Sequence, residues 1–156
     1  MSLPRRSFAL LLAMTPGIGG RSVTRILARN DLLGRTSEEF LALSPEALRE
    51  EYRLNAKAAK ALSEAPEARV RYTLTVEKRL SALGVTLISA ADAHYPFLVE
   101  QMDSDPPGIL FLYGNTKLLE ADTFCVLSSR NSRPADLDLI EKLAEEGVLR
   151  SEVLVS

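Results

Sequence analysis

The chain has 156 residues, of which 46% are apolar and 26% are charged, and its net charge is −2. These values are typical of a globular protein with one ordinary domain or two small ones. No run of about 18 apolar residues predicts a membrane span, and the single cysteine and single histidine argue against a disulfide and a zinc site. We therefore expect a cytoplasmic protein without a metal or other cofactor.

The positive charge is concentrated near the N-terminus. Residues 1–35 contain six arginines and one aspartate, a net charge of +5, so the rest of the chain carries −7. A local cationic region in a mildly acidic chain favours the binding of a polyanion at that end. The alternative is a solvated arginine face that has no ligand.

Two short apolar runs, which we predict to be helices, flank the turn Met14–Arg21. Pro16 ends the first helix because it has no N–H to donate, and Gly17 and Gly19 allow the chain to reverse. The second helix then begins with backbone N–H groups that lack partners within the helix and can bind phosphate. This arrangement resembles the helix-hairpin-helix motif, which binds the DNA backbone without reading bases. The candidate DNA-binding residues are Pro16, Gly17, Ile18, Gly19, Gly20, Arg21 and Arg25. The alternative is a glycine turn that only packs.

The following segment predicts a second hairpin without the glycines. A short helix begins near residue 37, with Thr36 or Ser37 as its N-cap, and another begins at Pro45 after the cap Ser44. An alanine-rich helix over residues 56–65 follows. We expect residues 1–65 to form a helix-hairpin-helix (SAM-like) domain of four or five helices, in which the second hairpin packs against the first.

Residues 66–156 change to an α/β pattern. A helix over residues 67–83 ends at Gly84, and the β-branched and aromatic runs after it predict four strands. The predicted strands are residues 85–88, 109–113, 124–127 and 153–155. An amphipathic helix over residues 134–146 separates the last two, so strand, helix and strand form a βαβ unit and imply a parallel sheet. The predicted fold class is α + α/β: a small helical bundle followed by a truncated Rossmann-like parallel-sheet domain.

Residues 95–114 carry a distinctive series of motifs, Tyr-Pro, then Asp-Pro-Pro-Gly, then Leu-Phe-Leu-Tyr-Gly. This series resembles the signature of the DNA-processing protein A family (DprA, also called Smf). The predicted hairpin before it and the strand followed by Ser129–Arg130 come in that family's order. We expect the prolines to stiffen the connection to the strand at Ile109, with Tyr95 packed beneath it, which is a structural role.

The resemblance implies a protein that is not an enzyme. It implies binding of single-stranded DNA and loading of the RecA recombinase onto it during natural transformation of competent cells. Double-stranded DNA is a further candidate ligand of the hairpin, whose strand preference the sequence leaves open. Ser128, Ser129 and Arg130 match the family's Gly-Ser-Arg, whose arginine reaches a DNA phosphate. A second copy of the chain is a further candidate partner. The alternatives are a protein–protein adaptor for recombination factors and a nucleotide-binding Rossmann-like protein.

Three departures from the family pattern bear on this interpretation. Ser128 stands where the family has glycine, which hinders close backbone approach to a phosphate. Asp136 places a negative charge near the implied phosphate pocket. The family's Ser-Gly-x-Ala-x-Gly-Ile-Asp loop would begin at Ser156, so we expect the α/β domain to be truncated.

Overall fold

The computed structural model describes residues 2–101, 105–127, 133–150 and 152–155. Within them lie eight α-helices, one 3₁₀ helix and four short strands. The helices are α1 (Arg5–Ala13), α2 (Gly20–Leu33), α3 (Ser37–Leu41), α4 (Pro45–Tyr52), α5 (Ala56–Ser63), α6 (Pro66–Ala82), α7 (Phe97–Gln101), the 3₁₀ helix Thr116–Glu120 and α8 (Pro134–Leu149). The strands are β1 (Val85–Ser89), β2 (Ile109–Tyr113), β3 (Thr123–Phe124) and β4 (Val153–Leu154). The predicted fold class, α + α/β, is confirmed.

The chain divides into two compact units, Met1–Gly114 and Asn115–Ser156. The first unit contains all five helices expected of the bundle, together with α6, α7 and the β1–β2 pair. The second contains α8 and the β3–β4 pair. An independently folding domain over residues 1–65 stays a prediction.

The helix starts follow local capping chemistry. Thr36 caps α3: its hydroxyl accepts a hydrogen bond from the Glu39 N–H, and the Glu39 carboxylate accepts one from the Thr36 N–H. Ser44 caps α4 by accepting from the Ala47 N–H, with Pro45 at the first helical position. These contacts satisfy N–H groups that have no partner within their helix, and they confirm the predicted starts of α3 and α4.

The first unit has one apolar core that the helices and the β1–β2 sheet share. Phe40 packs edge-on against Phe8 and Tyr52, with ring centroids 5.2 and 4.8 Å apart. Leu87 of β1 and Ile109 of β2 belong to the same buried cluster. The bundle and the sheet therefore stabilise each other through burial of apolar surface.

The sheet differs from the prediction in one respect. β1 and β2 pair in antiparallel register, from Val85 opposite Tyr113 to Ser89 opposite Ile109. The expectation of one parallel sheet is thus wrong for these strands, because the chain reverses its direction between them. The N–H of Ala90, just after β1, donates to the carbonyl oxygen of Gly108, just before β2, at 3.0 Å. β3 and β4 pair in parallel, with α8 as the connection, so the predicted βαβ unit is confirmed.

In the second unit, α8 packs on β3 through a glycine. A Cβ on Gly147 would overlap the ring of Phe124, so only glycine allows this helix to approach the ring so closely. In the part of the chain that the structure describes, none of the helices combines the length and apolar character that crossing a membrane requires.

Candidate nucleic-acid interface

A short turn joins α1 and α2, the two helices that the sequence predicts on either side of it. α1 ends at Ala13, and Thr15 continues the turn by donating its hydroxyl to the Leu11 carbonyl oxygen at 2.8 Å. Gly17 adopts the left-handed conformation with φ of +88°, which side chains with a Cβ rarely adopt. Gly19 is extended, with φ of −98°, and is the N-cap of α2. Of these two positions, only residue 17 therefore has a backbone conformation that favours glycine.

The N-terminus of α2 holds an anion supplied by the chain itself. The backbone N–H of Arg21 donates to Oδ1 of Asp105 at 2.8 Å. A carboxylate at the first turn of a helix satisfies a free N–H and lies at the positive end of the helix dipole. A phosphate group would make the same interaction. The hairpin thus has the geometry of an anion site, and Asp105 occupies it.

Asp105 belongs to a segment that packs closely on the hairpin, which we call the DPPG segment (residues 105–108). A Cβ on Gly20 would overlap the Pro106 carbonyl oxygen and lie 2.8 Å from the Gly108 nitrogen. A Cβ on Gly108 would lie 2.5 Å from the Cβ of Val23. Both glycines are therefore steric requirements of backbone-to-backbone packing, a structural role beside any contact with DNA.

Two further hydrogen bonds hold the DPPG segment. The Tyr95 hydroxyl donates to the Pro107 carbonyl oxygen at 2.5 Å, and the Gly108 carbonyl oxygen accepts from Ala90. The motifs that identify the family in sequence therefore meet the hairpin in space. The expectation that Tyr95 supports the connection to β2 agrees with this contact.

The exposed face of α2 carries what we call the arginine stripe (Arg21, Arg25 and Arg29). These residues are four apart, so their side chains lie along one face of the helix, and all three are exposed. Arg29 also lies over the Tyr52 ring, with its guanidinium carbon 5.8 Å from the ring centroid. Among the described residues, Arg21 and Arg25 form no ion pair.

Two other arginines of the cationic region have partners. Arg5 forms a two-pronged ion pair with Asp31, with N–O distances of 2.5 and 2.6 Å, and this hydrogen bonding raises the pKa of Arg5. Arg35 contacts Glu51 and the Tyr52 hydroxyl, each at 2.7 Å, and the Glu51 contact chiefly raises its pKa. Of the six arginines in residues 1–35, Arg6 and the arginine stripe therefore remain open to a ligand, and three of these four lie on α2.

The site that the sequence predicts after the third strand lies in a part of the chain that the structure does not describe. Ser128, Ser129 and Arg130 lie outside the described residues, so their contact with DNA stays a prediction. Asp136 lies at the start of α8, where its carboxylate accepts from the backbone N–H and the guanidinium of Arg133. The Arg133 side chain, and then its backbone N–H, lowers the pKa of Asp136. The negative charge that the sequence places here is thus paired with a cation.

Residues 86–156 match the model of the family described as DNA recombination-mediator protein A. These residues are thus similar to the DprA family, whose description relates it to DNA recombination. The matched range contains the DPPG segment. No curated protein and no solved structure matches the chain.

The matched range begins after the hairpin, so the helix-hairpin-helix assignment depends on the residues of α1 and α2 themselves.

The sequence did not predict that Asp105 contacts the hairpin. The Asp-Pro-Pro pattern indicates a carboxylate in a stiff connection, but no local signal identifies the helix that it reaches. Among the described residues, no cluster of histidine, cysteine and acidic side chains could hold a metal ion.

Proposed function

We propose that this chain is a member of the DprA family, that it binds DNA without sequence preference through the arginine stripe, and that it delivers single-stranded DNA to the RecA recombinase during natural transformation. The observation that carries the proposal is the row of exposed guanidinium groups on α2. A guanidinium pairs with phosphate oxygens and keeps its charge at any physiological pH. The family description, a recombination mediator, supports the second half of the proposal.

The arginine stripe suits backbone contact better than base readout. Base recognition uses bidentate side chains such as Asn, Gln and Arg on a helix that enters the major groove. None of the exposed or half-exposed positions of α2 is asparagine or glutamine, and backbone contacts of arginine carry no sequence information. Binding should then depend on charge and weaken as salt is added.

Fluorescence anisotropy with a labelled single-stranded oligonucleotide tests the DNA-binding part. We expect the double variant Arg21→Glu/Arg25→Glu to lose at least tenfold in affinity at low salt. Arg71→Glu/Arg79→Glu is the matched control, because both arginines are exposed on α6 and the change in net charge is the same. No binding by the wild-type chain, or equal affinities of the double variant and the control, would overturn the proposal. A duplex of the same length measures the strand preference.

A second candidate function, an adaptor for recombination proteins, is favoured by the apolar side chains that α8 exposes. Leu139, Leu143 and Leu149 are exposed beside acidic residues of the same helix. If the double arginine variant of α2 still binds to immobilised RecA, the adaptor function is favoured. Loss of RecA capture together with DNA binding would favour DNA delivery.

A further inference from the structure

The carboxylate of Asp105 lies where the hairpin would receive a DNA phosphate. Its Oδ1 accepts from the Arg21 N–H, and its Oδ2 lies 3.4 Å from the position of a Cβ on Gly19. We propose that Asp105 is an internal phosphate mimic, an autoinhibitory contact that competes with DNA for the N-terminus of α2. This inference rests on the proposed function, because it concerns the same surface.

The Asp105 carboxylate and a DNA phosphate cannot bind the N-terminus of α2 at the same time. Carboxylate and phosphate both present anionic oxygens to a backbone N–H, and each is favoured at the positive end of a helix. Once Asp105 is in place, a phosphate finds the Arg21 N–H already bonded. It also meets a negative charge of like sign at close range, which opposes its approach.

The contact is placed so that it can open without undocking the DPPG segment. Asp105 is exposed, and the bond from the Arg21 N–H is at the surface. The rest of the segment has its own attachments, the Tyr95 hydroxyl on Pro107 and the Ala90 N–H on Gly108. Rotation of one carboxylate therefore frees the hairpin, while the backbone of the segment keeps its position.

The test compares Asp105→Ala with Glu67→Ala. Both variants remove one carboxylate, and Glu67 is an exposed residue of α6 that pairs with Arg71 of the same helix. Alanine at residue 105 has no side-chain acceptor, so it frees the Arg21 N–H as well as removing the charge. We expect Asp105→Ala to bind a single-stranded oligonucleotide several-fold more tightly than Glu67→Ala. Equal or weaker binding by Asp105→Ala would overturn the inference.

A second measurement uses the wild-type chain, so its result does not depend on whether a substituted chain folds. During titration of the ¹⁵N-labelled chain with the oligonucleotide, the Arg21 amide resonance should move as phosphate replaces the carboxylate. An Arg21 resonance that stays in place at saturation would overturn the inference. If the wild-type chain binds DNA and the arginine variants weaken it, such a result leaves the proposed function standing. An absence of all DNA binding overturns both.

Discussion

The side-chain amide of Asn55 donates to the Gly17 carbonyl oxygen at 3.0 Å, so the second hairpin is tied to the first. The carbonyl oxygen of the same side chain accepts from the Ala58 N–H at 2.8 Å and caps α5. One asparagine thus caps the start of α5 and joins it to the turn between α1 and α2. The predicted packing of the second hairpin on the first has its contact here.

Substitution of Asn55 should separate these two effects. Asn55→Ala removes both hydrogen bonds and should lower the free energy of unfolding by about 1–2 kcal/mol. Asn55→Ser keeps a good N-cap but is too short to span to Gly17, so its cost should be smaller. Urea denaturation measures the difference. Equal losses in the two variants would mean that the α5 cap adds nothing of its own.

Alanine at Gly20 should be much more costly than alanine at Gly19. A Cβ on Gly20 overlaps the Pro106 carbonyl oxygen, whereas a Cβ on Gly19 meets only the end of the Asp105 side chain, at 3.4 Å. We expect Gly20→Ala to lose about 1–3 kcal/mol of stability, the usual cost of overpacking. Chemical denaturation of both variants measures it. Similar stabilities would show that the DPPG segment does not hold its docked position in solution.

The salt dependence of DNA affinity should report how many arginines touch phosphate. Three contacts predict a log–log slope of about −2 on single strands, at about 0.7 per neutralised phosphate. Arg25→Ala should reduce that slope to about −1.4, while Arg71→Ala on α6 should leave it unchanged. Anisotropy titrations at several salt concentrations measure it. An unchanged slope in Arg25→Ala would remove Arg25 from the interface.

The cap of α3 should make stability fall at acid pH. The Thr36 backbone N–H, and then its hydroxyl, hydrogen-bond the Glu39 carboxylate and lower its pKa below the usual 4.5. Because the folded pKa is the lower one, this stabilisation is full above about pH 4.5 and is lost as the pH falls through the folded pKa.

Glu39→Gln provides the test, because glutamine keeps an acceptor for Thr36 but does not titrate. Its unfolding midpoint in urea should vary less than that of the wild-type chain between pH 7 and about pH 3. Glu50→Gln, at an exposed position inside α4, is the control and should follow the wild-type profile. Identical profiles for all three proteins would contradict the assigned role of Glu39.

The helix starts could be predicted because their causes are local. Thr36 and Ser44 lie within three residues of the N–H groups that they cap, and Pro45 meets the first-turn requirement by itself. Strand pairing is different, because it depends on where the intervening chain goes. The runs at Val85 and Ile109 were predicted as strands, but their antiparallel register depends on the reversal of the chain between them. No pattern predicted the short helix α7, which lies between these strands.

In the candidate interface, too, one feature could be predicted from the sequence and another could not. The arginine stripe follows from a spacing of four residues on one helix, so it is visible in the sequence. The contact of Asp105 with Arg21 joins residues 84 positions apart. Nothing near either residue specifies it, although both were noted for other reasons.

By itself the sequence determined the order of the strands and of every helix except α7 and the 3₁₀ helix. It also determined the concentration of arginines on α2 and the family signature, since periodicity, caps and charge act within a few residues. Only the tertiary structure decided that Asp105 fills the hairpin, that Gly20 is needed for a close backbone approach, and that β1 and β2 run in opposite directions. Such contacts form when distant segments bury a shared core, and their free energy depends on packing in space. No local pattern encodes that packing.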